Sequence, residues 1–218
     1  AISIAMVNYS PARNDDAKKS VTADIRDGLT YAFSEPVLRA LFIMTFIPVL
    51  FGFSYYALIP AWAREALNIQ SDGLGILLMI MGVGATVGTI GLAALGNLRR
   101  RGIVMLSTSA AWGIALAIFS QMSSFPLAVP FLLFIGLTSS VYMSMNMTMI
   151  QLNSDQKMRG RVMSISMMTF GMMPLSAVPF GTIAQKIGTP DALMISGILL
   201  ASFTVLFAMF NRTFREIN

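Results

Sequence analysis

Residues 102–154 read GIVMLSTSAAWGIALAIFSQMSSFPLAVPFLLFIGLTSSVYMSMNMTMIQLNS, without one Asp, Glu, Lys or Arg. A bilayer core about 30 Å thick is crossed by roughly 20 apolar residues of helix, so this run is long enough to cross twice. It divides at Gln121-Met122-Ser123-Ser124-Phe125-Pro126, a polar turn ending in a proline that suits the first turn of a helix. Four more charge-free runs surround it, Ala40–Ala63, Gly73–Leu98, Val162–Gln185 and Ala192–Asn211, each long enough for one crossing. The chain therefore reads as all-α, a polytopic bundle of six transmembrane helices, with spans expected at about 38–60, 74–97, 103–121, 126–152, 162–184 and 192–210.

Composition agrees. The chain is 56% hydrophobic and 11% charged, against about 25% charged in soluble proteins. The net charge of +5 is spread over loops at regular intervals, which is no footprint for nucleic acid. With no Cys and no His, thiolate metal sites and the common near-neutral proton carrier are missing. No metal or cofactor is expected, and no arrangement resembles a hydrolase, kinase or metal centre.

The connections alternate between two sides. One side holds 13 of the 15 basic residues, among them Arg99, Arg100, Arg101, Lys157, Arg159 and Arg161; the other holds Arg64 and Lys186. The positive-inside rule then places both ends of the chain in the cytoplasm. Residues 1–8, without a Met or a basic leader, read as the end of a preceding helix, and hence the chain as a fragment. Residues 9–35 read as a cytoplasmic linker. Within it Ser20 could cap a short amphipathic helix in which Val21, Ile25 and Leu29 recur at four-residue spacing, expected along the membrane face and closed by Glu35-Pro36. Residues 36–211 hold the bundle and 212–218 a cytoplasmic tail.

Within the spans, Gly84-x-x-x-Gly88 allows close helix approach, for static packing or for a sliding contact. Gly171, Pro174 and Pro179 should kink the fifth span, which would then face the bundle or a cavity along much of its length. Polar and aromatic residues fall on one face of two spans: Ser139, Tyr142, Asn146 and Asn153 in the fourth, and Thr45, Pro48, Gly52 and Tyr55 in the first. A buried Asn amide needs partners, which a neighbouring helix or a wet cavity supplies equally well. Of the 18 Met residues, Met143, Met145, Met147 and Met149 alternate and so point in different directions on a helix, which makes no metal face. Flexible thioethers do suit surfaces for varied apolar ligands, as they suit lipid-facing filler. No span has a charge at its centre, so any proton-coupling acid is expected outside this chain.

The loops carry a resemblance. Gly91-Leu92-Ala93-Ala94-Leu95-Gly96-Asn97-Leu98-Arg99-Arg100-Arg101-Gly102 resembles a degenerate copy of the loop signature of the major facilitator superfamily. Asp155-Gln156-Lys157-Met158-Arg159-Gly160-Arg161-Val162-Met163-Ser164, with Phe170-Gly171-Met172-Met173-Pro174-Leu175 and Ile187-Gly188-Thr189-Pro190-Asp191-Ala192, is similar to the C-terminal half of its drug- and siderophore-exporter branch, which includes enterobactin exporters and macrolide efflux proteins. Asp24-Ile25-Arg26-Asp27-Gly28-Leu29 and Pro36-Val37-Leu38-Arg39 fit that branch's central loop and its entry to the seventh helix.

The resemblance implies helices seven to twelve of a twelve-helix transporter in a bacterial inner membrane, with lipid, a small-molecule substrate and an N-terminal six-helix half as partners. It implies proton-driven export of small amphiphilic or hydrophobic molecules by alternating access. Importing on the same scaffold, a dimer of half-transporters and a non-transporting scaffold subunit are the alternatives. Thr45, Tyr55, Ser139, Tyr142 and Asn146 would line the pathway, since the first and fourth spans correspond to cavity-lining helices. Asn97, Arg99, Arg100, Arg101, Asp155, Arg159 and Arg161 would form a cytoplasmic latch, weakened at Asn97, where the fuller signature has an acid. Gly84, Gly88, Gly171, Pro174 and Pro179 would serve packing and bending.

Overall fold

The computed structural model describes residues 21–69, 71–96 and 100–215. Asn97, Arg99, residues 1–8 expected to end a preceding helix, the expected linker as far as Ser20 and residues 216–218 lie outside the described residues. The described residues form helices and connections, with no strand among them. Six helical segments are long and apolar enough to cross a membrane: Pro36–Leu67, Gly73–Ala94, Arg101–Ser120, Phe125–Leu152, Arg159–Ile187 and Thr189–Phe210.

A short helix, α1 (Val21–Ser34), precedes the first span, which is built from α2 (Pro36–Ile47), a π-helical turn at Pro48–Gly52 and α3 (Ser54–Leu67). The second, third and fourth spans contain α4 (Ser71–Ala94), α5 (Arg101–Ser120) and α6 (Phe125–Leu152). The fifth joins α7 (Arg159–Phe170) to α8 (Met173–Ile187), the sixth is α9 (Thr189–Phe210), and α10 (Arg212–Arg215) follows.

The ends have local causes. Proline stands in the first turn of α2, α6, α8 and α9, where its missing N–H costs no helical bond. The first span runs past its charge-free core through Arg64 and Glu65 to Leu67, and Asn68 ends it in the left-handed conformation (φ 55°). The second stops at Ala94, short of the expected residue 97, because Gly96 takes φ 57°.

Close backbone approach sets the packing. α4 lies on α6: a Cβ on Gly84 or Gly88 would stand 2.1 and 2.6 Å from the carbonyl oxygens of Leu133 and Leu137, and one on Gly136 would stand 2.1 Å from that of Met81. α5 crosses α9 through Gly113 and Gly197, whose absent Cβ atoms leave room for each other's carbonyls. Without a hydrophobic drive between helices in lipid, such contacts supply the dispersion energy of association. The first span is the most enclosed of the six, with Leu41, Phe42, Met44, Tyr55, Ile59 and Trp62 buried. The fifth span is far less enclosed by this chain: in α8 only Ser176 and Phe180 are buried, while Met167, Met168, Met172, Leu175 and Val178 stay exposed.

Candidate functional site: the break in the first span

Proline 48 stands in the middle of an apolar stretch and has no N–H to give to the carbonyl four residues back. The helix answers with a π-helical turn, in which the Phe53 amide donates to the Pro48 carbonyl at 2.9 Å. Such turns are rare in helices and recur at functional sites. In a bilayer the carbonyls released at a break must be bonded by neighbouring helices, and two helices do so here.

From α6, the Tyr142 hydroxyl donates to the Met44 carbonyl, the group that Pro48 leaves without its helical donor. Asn146 Nδ2 donates to the Tyr142 oxygen at 3.3 Å. The amide's Oδ1 lies 3.1 Å from Thr45 Oγ1, whose proton is shared with the Leu41 carbonyl at 2.9 Å. From α9, the Ser196 hydroxyl donates to the Phe51 carbonyl, and the Ser54 oxygen lies 2.5 Å from that of Ser196. With the Ser196 proton on Phe51, Ser54 is the donor of that pair.

Aromatic rings fill the space around the turn. Gly52 permits it: a Cβ there would stand 2.8 Å from Cη2 of the buried Trp112 ring. Trp112 also meets Phe53 edge-on at 5.0 Å and Tyr55 at 6.2 Å between ring centres. Phe51 stacks on Phe203 of α9 at 5.0 Å and meets Phe180 of α8 edge-on at 6.4 Å. The fifth span has its own break at Gly171–Met172, immediately before α8, with Pro174 in the first turn of α8 and Pro179 inside that unbroken helix. The turn in the first span thus packs against the second segment of the other interrupted span.

The five residues expected on the pathway are brought together by the first and fourth spans. They close on one another: Thr45, Tyr142 and Asn146 are 2%, 1% and 2% exposed. Tyr55 and Ser139 are also buried and interact through their hydroxyls, while Ser139 donates to the Gly136 carbonyl. In this conformation their polar atoms are taken up by one another and by backbone carbonyls, within their own helix or across to the neighbouring one. Asn153, on the same face by spacing, binds the Met149 carbonyl within its own helix.

The expected latch residues are more dispersed. Arg100 takes the left-handed conformation (φ 61°) before Arg101 opens α5. Arg161 pairs with Asp24 of α1 at 2.8 Å and with Asp27 at 3.9 Å. The Asp155 amide donates to the Tyr31 hydroxyl of α1 at 3.1 Å, and Arg159 reaches the Ser154 carbonyl at 3.5 Å. Two of these residues therefore hold the linker helix. Sequence reasoning missed Trp112, Ser54 and Ser196; no spacing joins positions 52 and 112, or 51 and 196, though Pro48 within an apolar run signalled that some carbonyl there needs a partner.

Six crossings, two of them interrupted and touching, are the architecture on which the comparisons bear. The family model described as "transmembrane secretion effector" matches residues 2–217. The chain belongs to this family of the major facilitator superfamily. It is 29% identical to a staphyloferrin A transporter of Staphylococcus aureus over 80% of the chain and 44% of that protein. It is 23% identical to the multidrug efflux pump Tap of Mycolicibacterium fortuitum over 92% of the chain and 49% of that protein. The chain spans about half the length of these curated relatives. Family and relatives are transporters, not enzymes.

Proposed function

We propose that these six helices are the C-terminal half of a proton-driven exporter of small amphiphilic or hydrophobic molecules, working by alternating access in a bacterial inner membrane. The basic loops and both chain ends face the cytoplasm in this reading. The observation that carries it is the pair of interrupted spans meeting at Phe51 and Phe180. Transporters of this architecture place substrate at discontinuous helices between two repeats near the bilayer midplane and rock one against the other. The names of the relatives, a staphyloferrin A transporter and a multidrug efflux pump, support a small-molecule cargo, and the second favours export. The missing repeat is the N-terminal half, and it carries the coupling acid.

Thr45, Tyr55, Ser139, Tyr142 and Asn146 serve the pathway by holding the break of the first span. The exposed Ile43, Leu50 and Tyr56 of that span face the other half. Asn97, Arg99, Arg100, Arg101 and Arg159 serve the contacts that close the cytoplasmic side, while Asp155 and Arg161 do so through α1.

The test uses inverted vesicles containing the full-length protein, a panel of fluorescent amphiphiles and an imposed proton gradient. Uptake into the vesicles that collapses with an uncoupler, and falls in Asn146→Leu at unchanged protein level, supports the reading. Uptake in the opposite orientation would make the protein an importer, and no gradient-dependent movement of any amphiphile would overturn the substrate class.

A further inference from the structure

The break in the first span gathers aromatic rings that a regular helix would spread around its axis, since successive residues of an α-helix point about 100° apart. Beyond the π-helical turn the Tyr56 amide donates to the Phe53 carbonyl at 3.1 Å, only three residues back. Phe53, Tyr55 and Tyr56 then lie within 6.5 Å of one another between ring centres, tilted by 18° to 30°. Tyr55 and Tyr56, neighbours in sequence, are the nearest pair at 4.4 Å. Trp112 braces the group edge-on from α5.

Three of these rings are enclosed and one is open. Phe53, Tyr55 and Trp112 are buried, whereas Tyr56 is 55% exposed. Tyr56 is thus the outer ring of a wall whose inner members are fixed by packing. It sits too deep for the tyrosine belts that mark the membrane–water boundary: eight residues, about 12 Å of helix, separate it from Arg64, where the charge-free run has ended. It follows the break by about one turn and belongs to the most enclosed of the six spans. In the transport reading that places it on the strip looking across to the other half, beside the discontinuity where cargo is held.

The wall suits a flat, uncharged partner. No Asp, Glu, Lys or Arg stands within Ala40–Ala63 or Gly102–Ser154, so a cation laid on Tyr56 would meet no counter-charge from these spans and would still lose its hydration. A neutral aromatic ring meets the offset or edge-on geometry that such rings favour. Little side-chain freedom is lost, because a tyrosine has two χ angles and neighbours already hold this one.

We propose that Tyr56 is the cargo-contacting residue of the first span and selects planar, uncharged aromatic groups by stacking. The buried Tyr55 stands behind it as support. The proposal rests on the transport reading for the existence of a cargo site and narrows the class of cargo from amphiphiles at large.

The test measures binding, which needs no proton gradient. It uses the full-length protein in nanodiscs of phosphatidylethanolamine and phosphatidylglycerol, with empty nanodiscs subtracted. The probes are tritiated 2-naphthol and decahydro-2-naphthol, which share a carbon skeleton and a hydroxyl but differ in flatness. The expected result is saturable binding that favours 2-naphthol. Tyr56→Leu should weaken 2-naphthol about threefold to tenfold, the worth of one aromatic pair, and leave the saturated probe nearly unchanged. Tyr56→Phe, which keeps the ring, should retain most of the 2-naphthol affinity. Equal weakening of both probes would make Tyr56 a structural prop and overturn the proposal. Unchanged binding in Tyr56→Leu would put the ring against lipid or the other half, and absence of saturable 2-naphthol binding would exclude the flat class; either overturns it too. Proton-driven uptake of amphiphiles by inverted vesicles without preference for the flat probe would refute this proposal and leave the exporter reading standing. Selective binding without any gradient-driven uptake would do the reverse.

Discussion

The Tyr142 hydroxyl on α6 replaces the helical donor that Pro48 denies to the Met44 carbonyl of the first span. A helix defect and its remedy thus lie on different spans, 98 residues apart in the chain. The pairing makes a thermodynamic cycle informative. Tyr142→Phe leaves a buried carbonyl unbonded, with an expected loss of about 1 kcal/mol, between the membrane average of about 0.6 for interhelical hydrogen bonds and the higher cost, about 1–3, of an unsatisfied buried group. Pro48→Ala restores an N–H to the helix. In that background the effect of Tyr142→Phe should shrink towards zero, as read by apparent melting in detergent. Equal costs in both backgrounds would show that the hydroxyl acts elsewhere.

Ser196 is the corresponding prop from α9, at the Phe51 carbonyl. Ser196→Ala should destabilise by about 1 kcal/mol or less, since Ser54 at 3.2 Å from that carbonyl can turn its proton to it. Combined with Ser54→Ala, the loss should exceed the sum of the single changes, because the second substitution removes the substitute donor. Additive losses would argue against the shared carbonyl.

Gly52 and Trp112 are matched in shape. A methyl on Gly52 would press on the end of the buried indole at 2.8 Å, so Gly52→Ala should cost about 1–3 kcal/mol through overpacking. Shortening the ring with Trp112→Phe should recover part of that loss. Absence of any recovery would place the strain in the backbone of the turn.

The glycines of α4 divide into two classes. Gly84→Ala would drive a methyl into the Leu133 carbonyl and force α4 away from α6, whereas Gly82 has nothing within 4 Å of a Cβ. Gly84→Ala should lower the melting temperature clearly. Gly82→Ala should leave it unchanged or raise it, since alanine is the better helix former by about 1 kcal/mol. Similar behaviour of the two variants would refute the α4–α6 contact as described.

Arg161 holds α1 with a partly exposed ion pair, worth about 1 kcal/mol at most. Arg161→Ala should therefore hardly change global stability. It should raise hydrogen exchange across residues 24–32, an effect that high salt should mimic in the parent protein. Unchanged exchange would mean that Gly28 packing alone retains the helix.

How much of this was legible beforehand depends on the range of the interaction. Charge-free runs such as Gly102–Ser154 announce crossings because water, lipid and helix length act on each segment separately. Gly171 and Pro174 announce the interruption in the fifth span for the same local reason. Thr45, Tyr142 and Asn146 could be placed on helix faces by spacing, and so singled out. Their mutual bonding was not legible, because periodicity says which residues share a face and not what lies opposite. The first break shows the limit most plainly. Pro48, Pro60 and Pro130 all stand inside apolar stretches, yet only Pro48 opens a π-helical turn; Pro60 and Pro130 remain within α-helices.

The sequence by itself therefore determined six crossings, the family and the residues able to offer polar groups inside a bilayer. These follow from composition, from segment length and from motifs whose chemistry is local. Only the tertiary structure decided which proline becomes a break and which hydroxyl bonds the carbonyl it frees. It likewise decided that Arg161 and Asp155 hold α1. The physical reason is that in lipid a freed backbone group must be satisfied, here chiefly from other helices, and which helix stands opposite is settled by the packing of all six.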